Sequence, residues 1–70
     1  MDNDPVRDGL ARIEAVMQER TGKTWAVTTL QWYRGFGADA VSEEARVRGP
    51  YANTETEAVH DLARILGVTL

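Results

Sequence analysis

Apolar residues recur at Val6, Leu10, Ile13 and Met17, with Val16 widening the stripe, and spacings of four, three and four place them on one face of an α-helix. The pattern predicts an amphipathic helix over residues 4–22. Asp4 can accept its first free amide hydrogens, Pro5 suits the first helical position, and Gly22 suits the left-handed residue that ends it. Gly9 weakens the early turns by roughly 1 kcal/mol relative to alanine, so that end frays unless a neighbour packs closely against it.

From Thr24 to Arg34 the chain turns to aromatic and β-branched residues, which predicts a strand. Its alternation is imperfect. Trp25, Val27, Thr29, Gln31 and Tyr33 share one face, and Ala26, Thr28, Leu30, Trp32 and Arg34 share the other, so a large aromatic stays outside whichever face is covered. Residues 35–39 (Gly-Phe-Gly-Ala-Asp) are turn-prone, and alternation resumes from Ala40 to Arg48 with Val41, Ala45 and Val47 on one side. An antiparallel hairpin is expected. Gly49-Pro50 stops it, and Thr54-Glu55-Thr56-Glu57 has capping-box spacing before a second apolar stripe at Ala58, Val59, Leu62, Ile65 and Leu66. Gly67 ends that helix, and Val68-Thr69-Leu70 forms a tail able to fold back on the core.

The expected architecture is a single α+β domain over residues 1–70: two layers in the order αββα, an antiparallel β-hairpin with two helices packed on one face. Its core comprises Val6, Leu10, Ile13, Met17, Val27, Leu30, Val41, Val47, Leu62 and Leu66. The opposite sheet face and the strand edges stay available, and pairing of edges makes a homodimer as reasonable as a monomer.

Composition narrows the function classes. Seventy residues make one small core rather than several. Eleven acidic against eight basic residues give a net charge of -3, which disfavours nonspecific attraction to a polyanion. Met1-Asp2-Asn3-Asp4 precedes no apolar run, so neither a secretory signal nor a spanning helix is read and a cytoplasmic, membrane-free protein is expected. The chain has no cysteine, which removes thiolate metal sites and disulfides. Ser42 is the one serine and His60 the one histidine, and they fall in different elements without a nucleophile elbow. His60 sits with Glu57, Asp61 and Arg64 on the polar side of the second helix, and a lone histidine does not make a metal site. Glu43 and Glu44, as neighbours on a strand, point to opposite faces and form no acid–base pair. Glu43 then shares the apolar face of Val41 and Val47, where it needs an arginine partner, a strand end or a bulge. The glycines at 35 and 37 open no helix, so a phosphate-cradling loop is not expected. No catalytic residue, cofactor or metal is assigned.

The candidate surface joins Trp32, Tyr33, Arg34 and Phe36 at one end of the hairpin with Arg46, Arg48 and Tyr51 at or beside its second strand. Aromatic residues and arginine concentrate binding energy at protein interfaces, and the same types stack on bases and hold phosphates. With net negative charge, protein is the first choice and nucleic acid the second. A further reading takes Asp2, Asp4, Asp8, Glu14 and Glu19 as negative charge offered to a basic groove, although Arg7, Arg12, Arg20 and Lys23 are interspersed.

Residues 45–51 (Ala-Arg-Val-Arg-Gly-Pro-Tyr), followed by Glu57-Ala58 and Leu62, resemble the strand, Gly-Pro-aromatic turn and helix of one half of a peptidoglycan-binding SPOR domain. The same hairpin-then-helix stretch is similar to the arm-binding N-terminal domains of phage integrases. In size, lack of cysteine and acidic balance the whole chain resembles small phage-encoded inhibitors of bacterial defence, including anti-CRISPR proteins. That last resemblance implies a non-catalytic inhibitor occupying a site on a larger protein or protein–nucleic-acid complex. The expected function is therefore a protein-binding module of this kind, with nucleic-acid binding through the hairpin as the alternative.

Overall fold

The computed structural model describes residues 4–70; Asp2, one of the acidic candidates, lies outside them. Five elements follow in chain order: α1 (Pro5–Thr21), β1 (Ala26–Trp32), β2 (Gly35–Val41), β3 (Arg46–Arg48) and α2 (Glu55–Leu66). The α+β class with a helix at each end is as expected. The sheet has three antiparallel strands in the order β1-β2-β3, one more than the hairpin read from the pattern.

Both helices carry the predicted end signals. Asp4 Oδ1 accepts from the amides of Val6 at 3.0 Å and Arg7 at 3.3 Å, and Gly22 closes α1 at φ 70° with its N–H on the Gln18 carbonyl. Thr54 Oγ1 accepts from Glu57 N at 3.1 Å, the hydroxyl half of the capping box. At the other end of α2, Gly67 takes φ 70° and Val68 N donates to Ala63 O at 2.8 Å, which turns Val68 into the core. Arg20 reaches from α1 to that same terminus, donating to Leu66 O at 2.7 Å and Gly67 O at 2.8 Å. A cation thus meets the negative end of the helix dipole.

The strands are divided differently from the expectation. Residues 35–39, read as a turn, form most of the central strand; the turn is Tyr33-Arg34, with Trp32 opposite Gly35. The physical reason is packing. Ala38 and Ala40 are fully buried beneath the helices, and a Cβ on Gly49 would already touch Leu62 at 3.5 Å, so small residues here let α2 approach the sheet. The span from Ala40 to Arg48 is likewise broken. Ser42 N donates to Ala45 O at 2.8 Å, and Ser42 Oγ accepts from Ala45 N at 3.2 Å, making a tight turn that separates β2 from β3. Glu43 lies exposed in that turn and needs no buried partner. Glu44, beside it, pairs with Lys23.

Register assigns the faces. Val27 lies opposite Ala40, and Ala40 opposite Val47, so these side chains share the helix side of the sheet. There they meet Ile13, Met17, Trp25, Ala38, Ala58, Val59, Leu62, Ala63 and Val68. Val6, Leu10, Val47 and Leu66 pack at the margin of this core. Leu30 and Val41, expected inside it, are half-buried residues of the opposite face. Trp25 is the inward tryptophan: its indole N–H donates to Thr21 Oγ1 at 2.9 Å, and that hydroxyl donates to Met17 O at 2.7 Å, tying β1 to the last turn of α1.

Candidate functional site

Two helices cover one side of the sheet, and the other side carries two exposed aromatic residues, Trp32 and Tyr51. Thr28, Leu30 and Trp32 of β1, Gly37, Asp39 and Val41 of β2, and Arg46 and Arg48 of β3 alternate onto it. Tyr51 joins them from the segment after β3. That segment continues along β2 through paired bonds between Phe36 and Ala52, at 2.9 and 2.8 Å, and a bond from Gly49 N to Ala38 O at 2.9 Å. One extra residue between Gly49 and Ala52 makes a bulge.

Gly37 sits at the centre of this face. A Cβ placed on it would lie 3.4 Å from Leu30 Cδ1 and 3.7 Å from Tyr51 Cδ1, so Leu30 and the Tyr51 ring close over bare backbone. Trp32 stands beside them. It remains 52% exposed and Tyr51 43% exposed, so the patch presents aromatic area without sealing it.

Toward the other end of the face the chemistry becomes ionic. Asp39 is only 6% exposed and is held beneath Arg48, whose Nε lies 3.3 Å from Oδ1 and whose Nη2 lies 3.5 Å from Oδ2. The Nε contact is close enough for ion pairing but lacks hydrogen-bond alignment, which leaves Oδ1 buried without a hydrogen-bond partner. Arg46 is exposed next to Arg48 across the strand end. The fork of Arg48 is already engaged with a carboxylate, so the two arginines do not add up to an unneutralised phosphate clamp.

The seven residues singled out from the pattern therefore separate into three settings. Trp32, Arg46, Arg48 and Tyr51 share the helix-free face. Tyr33 and Arg34 form the hairpin tip, where Tyr33 is 88% exposed and the Arg34 guanidinium lies 5.6 Å from its ring centroid. Phe36 does not belong with them: it alternates to the helix side and packs at the margin of the core. Leu30, Gly37 and Asp39 complete the face: the pattern assigns Leu30 to the core and residues 35–39 to a turn, whereas alternation through Gly37 and Asp39 is the signal that places them here.

Other candidate chemistry stays dispersed. Ser42 is in the β2–β3 turn and His60 is exposed on α2. His60 borders a cleft of about 540 Å³ between the helices, lined also by Pro5, Asp8, Gly9, Arg12, Thr69 and Leu70. No group of three or more potential metal ligands converges among the described residues, and no helix among them is long and apolar enough to cross a membrane. Comparison of the chain with protein-family models, curated proteins and solved structures finds no match.

Proposed function

We propose that the protein is a non-catalytic protein-binding module whose contact surface is the helix-free face of the sheet, extended by the hairpin tip. One observation carries the reading: Trp32 and Tyr51 remain about half exposed on the helix-free face, where Leu30 and Tyr51 close over Gly37 and Asp39 already engages Arg48. Broad, rigid aromatic residues bury large area at low entropic cost, and interfaces use them as anchors. The paired Arg48 and the net charge of -3 weigh against a polyanion as the ligand.

The test is capture by the immobilised protein, alongside Trp32→Ala and Tyr51→Ala, with titration of a fluorescent single-stranded oligonucleotide in parallel. Capture of one protein that survives high salt and falls at least tenfold with either substitution supports the reading; a tenfold loss corresponds to about 1.4 kcal/mol. Oligonucleotide binding that declines steeply with salt and depends on Arg46 would replace it with the nucleic-acid alternative.

A further inference from the structure

The two outer edges of the sheet are built differently. β3 spans only Arg46–Arg48, carries two arginines, and runs into Gly49-Pro50 and a bulge. Short length, charge, proline and bulging are the devices that keep an edge strand from pairing. β1 has none of them: Ala26–Trp32 is seven residues, AVTTLQW, without charge, proline or glycine.

The hydrogen-bond phase of β1 follows from two independent contacts. Val27 N donates to Glu14 Oε2 at 2.8 Å, so the Val27 amide points away from β2. Phe36, opposite Gln31, spends its own amide and carbonyl on Ala52, so Gln31 also points outward. In an antiparallel ladder this property alternates, which places Thr29 outward as well. The Glu14 carboxylate caps the Val27 end of the edge. Thr29 and Gln31 remain as the stretch able to accept a new strand.

We infer that β1 pairs with β1 of a second copy, antiparallel about a two-fold axis through Leu30, with Thr29 of each copy opposite Gln31 of the other. This register uses the two outward-facing residues and leaves Val27 to Glu14. Each Thr29–Gln31 pair exchanges both of its N–H···O bonds, and Leu30 meets its symmetry mate as a non-hydrogen-bonded pair at a Cα separation of about 4.5 Å. Trp32 falls opposite Thr28 of the second copy on the helix-free face. The strand is its own complement in hydrogen bonding and carries no charge to repel itself, which selects a second copy over a charged peptide. The product is one continuous six-stranded sheet, three strands from each chain, with all helices on the same side.

An edge pairing of this length buries less than the ~1,600 Å² of a standard stable complex, so association is expected at roughly 0.1–1 mM. Sedimentation velocity over that range is expected to move the mass from 7.8 kDa toward about twice that value. Amide exchange gives the second readout: protection of Thr29 and Gln31 rises with concentration, whereas Val27, already bonded to Glu14, does not change. Gln31→Pro removes an outward N–H that the monomer's own ladder does not use, so it is expected to abolish the mass shift with the circular dichroism spectrum retained. A monomeric mass throughout, concentration-independent exchange at Thr29 and Gln31, or unchanged pairing in a folded Gln31→Pro variant would each overturn the inference.

Discussion

Gly9 of α1 and Val59 of α2 occupy the same space: a Cβ built on Gly9 would lie 2.7 Å from Val59 Cγ1. The glycine that weakens the helix in isolation is what allows the helices to meet. Helix propensity favours alanine by about 1 kcal/mol, but overpacking costs typically about 1–3 kcal/mol, and a buried β-branched valine has little rotamer freedom to yield. Gly9→Ala is therefore expected to destabilise by about 1 kcal/mol in urea denaturation. With Val59→Ala in place the same change is expected to become neutral or stabilising, and a double-mutant cycle measures that reversal of sign.

Arg20 stabilises a helix it does not belong to. Arg20→Met keeps an apolar stem and removes both bonds to Leu66 O and Gly67 O. A loss of about 1 kcal/mol is expected, from charge-assisted bonding and the helix dipole. Because the groups are exposed, the difference from wild type is expected to shrink in melts at rising salt, while Arg20→Lys retains part of the effect.

The Asp39–Arg48 pair joins a buried carboxylate to a partly exposed guanidinium. Arg48→Met leaves the carboxylate without its cation and is expected to cost about 1–2 kcal/mol, the solvent access of Arg48 keeping the figure modest. Adding Asp39→Asn removes the unpaired charge. The double variant is expected to unfold at higher urea than Arg48→Met alone, and equal midpoints would show that the pair is not coupled.

Gly35 has two reasons to be glycine. Its φ is 129°, and a Cβ there would lie 2.5 Å from the carbonyl oxygen of Ala52. Gly35→Ala is expected to destabilise by about 2–3 kcal/mol. Hydrogen exchange should locate the damage, with the Phe36 and Ala52 amides losing protection before those of β1.

The helices were legible in the sequence because their signals are local. Asp4-Pro5, Gly22, Thr54–Glu57 and Gly67 stand at the ends they marked, and the stripes through Ile13, Met17, Val59 and Leu62 face the core. The middle of the sheet was not, because its residues answer to tertiary packing. Gly37 and Ala38 are small so that Leu30 and Tyr51 can close on one side and the helices on the other, and smallness alone looks like a turn. The binding candidates followed the same division. Trp32, Tyr51, Arg46 and Arg48 come together on one face, whereas the placement of Phe36 depends on where the turn falls: with the turn at Tyr33-Arg34 rather than over residues 35–39, Phe36 lies in β2 with its ring on the core side.

The unequal settings of Trp25 and Trp32 give the molecule two optical probes. Trp25, buried with its indole N–H on Thr21, is expected to emit at shorter wavelength and to resist iodide quenching; Trp32, on the helix-free face, to emit at longer wavelength and quench readily. Single-tryptophan versions made by Trp32→Phe or Trp25→Phe would separate the signals: one fluorophore follows melting of the interior, and the other lights or dims when something settles on the outer surface.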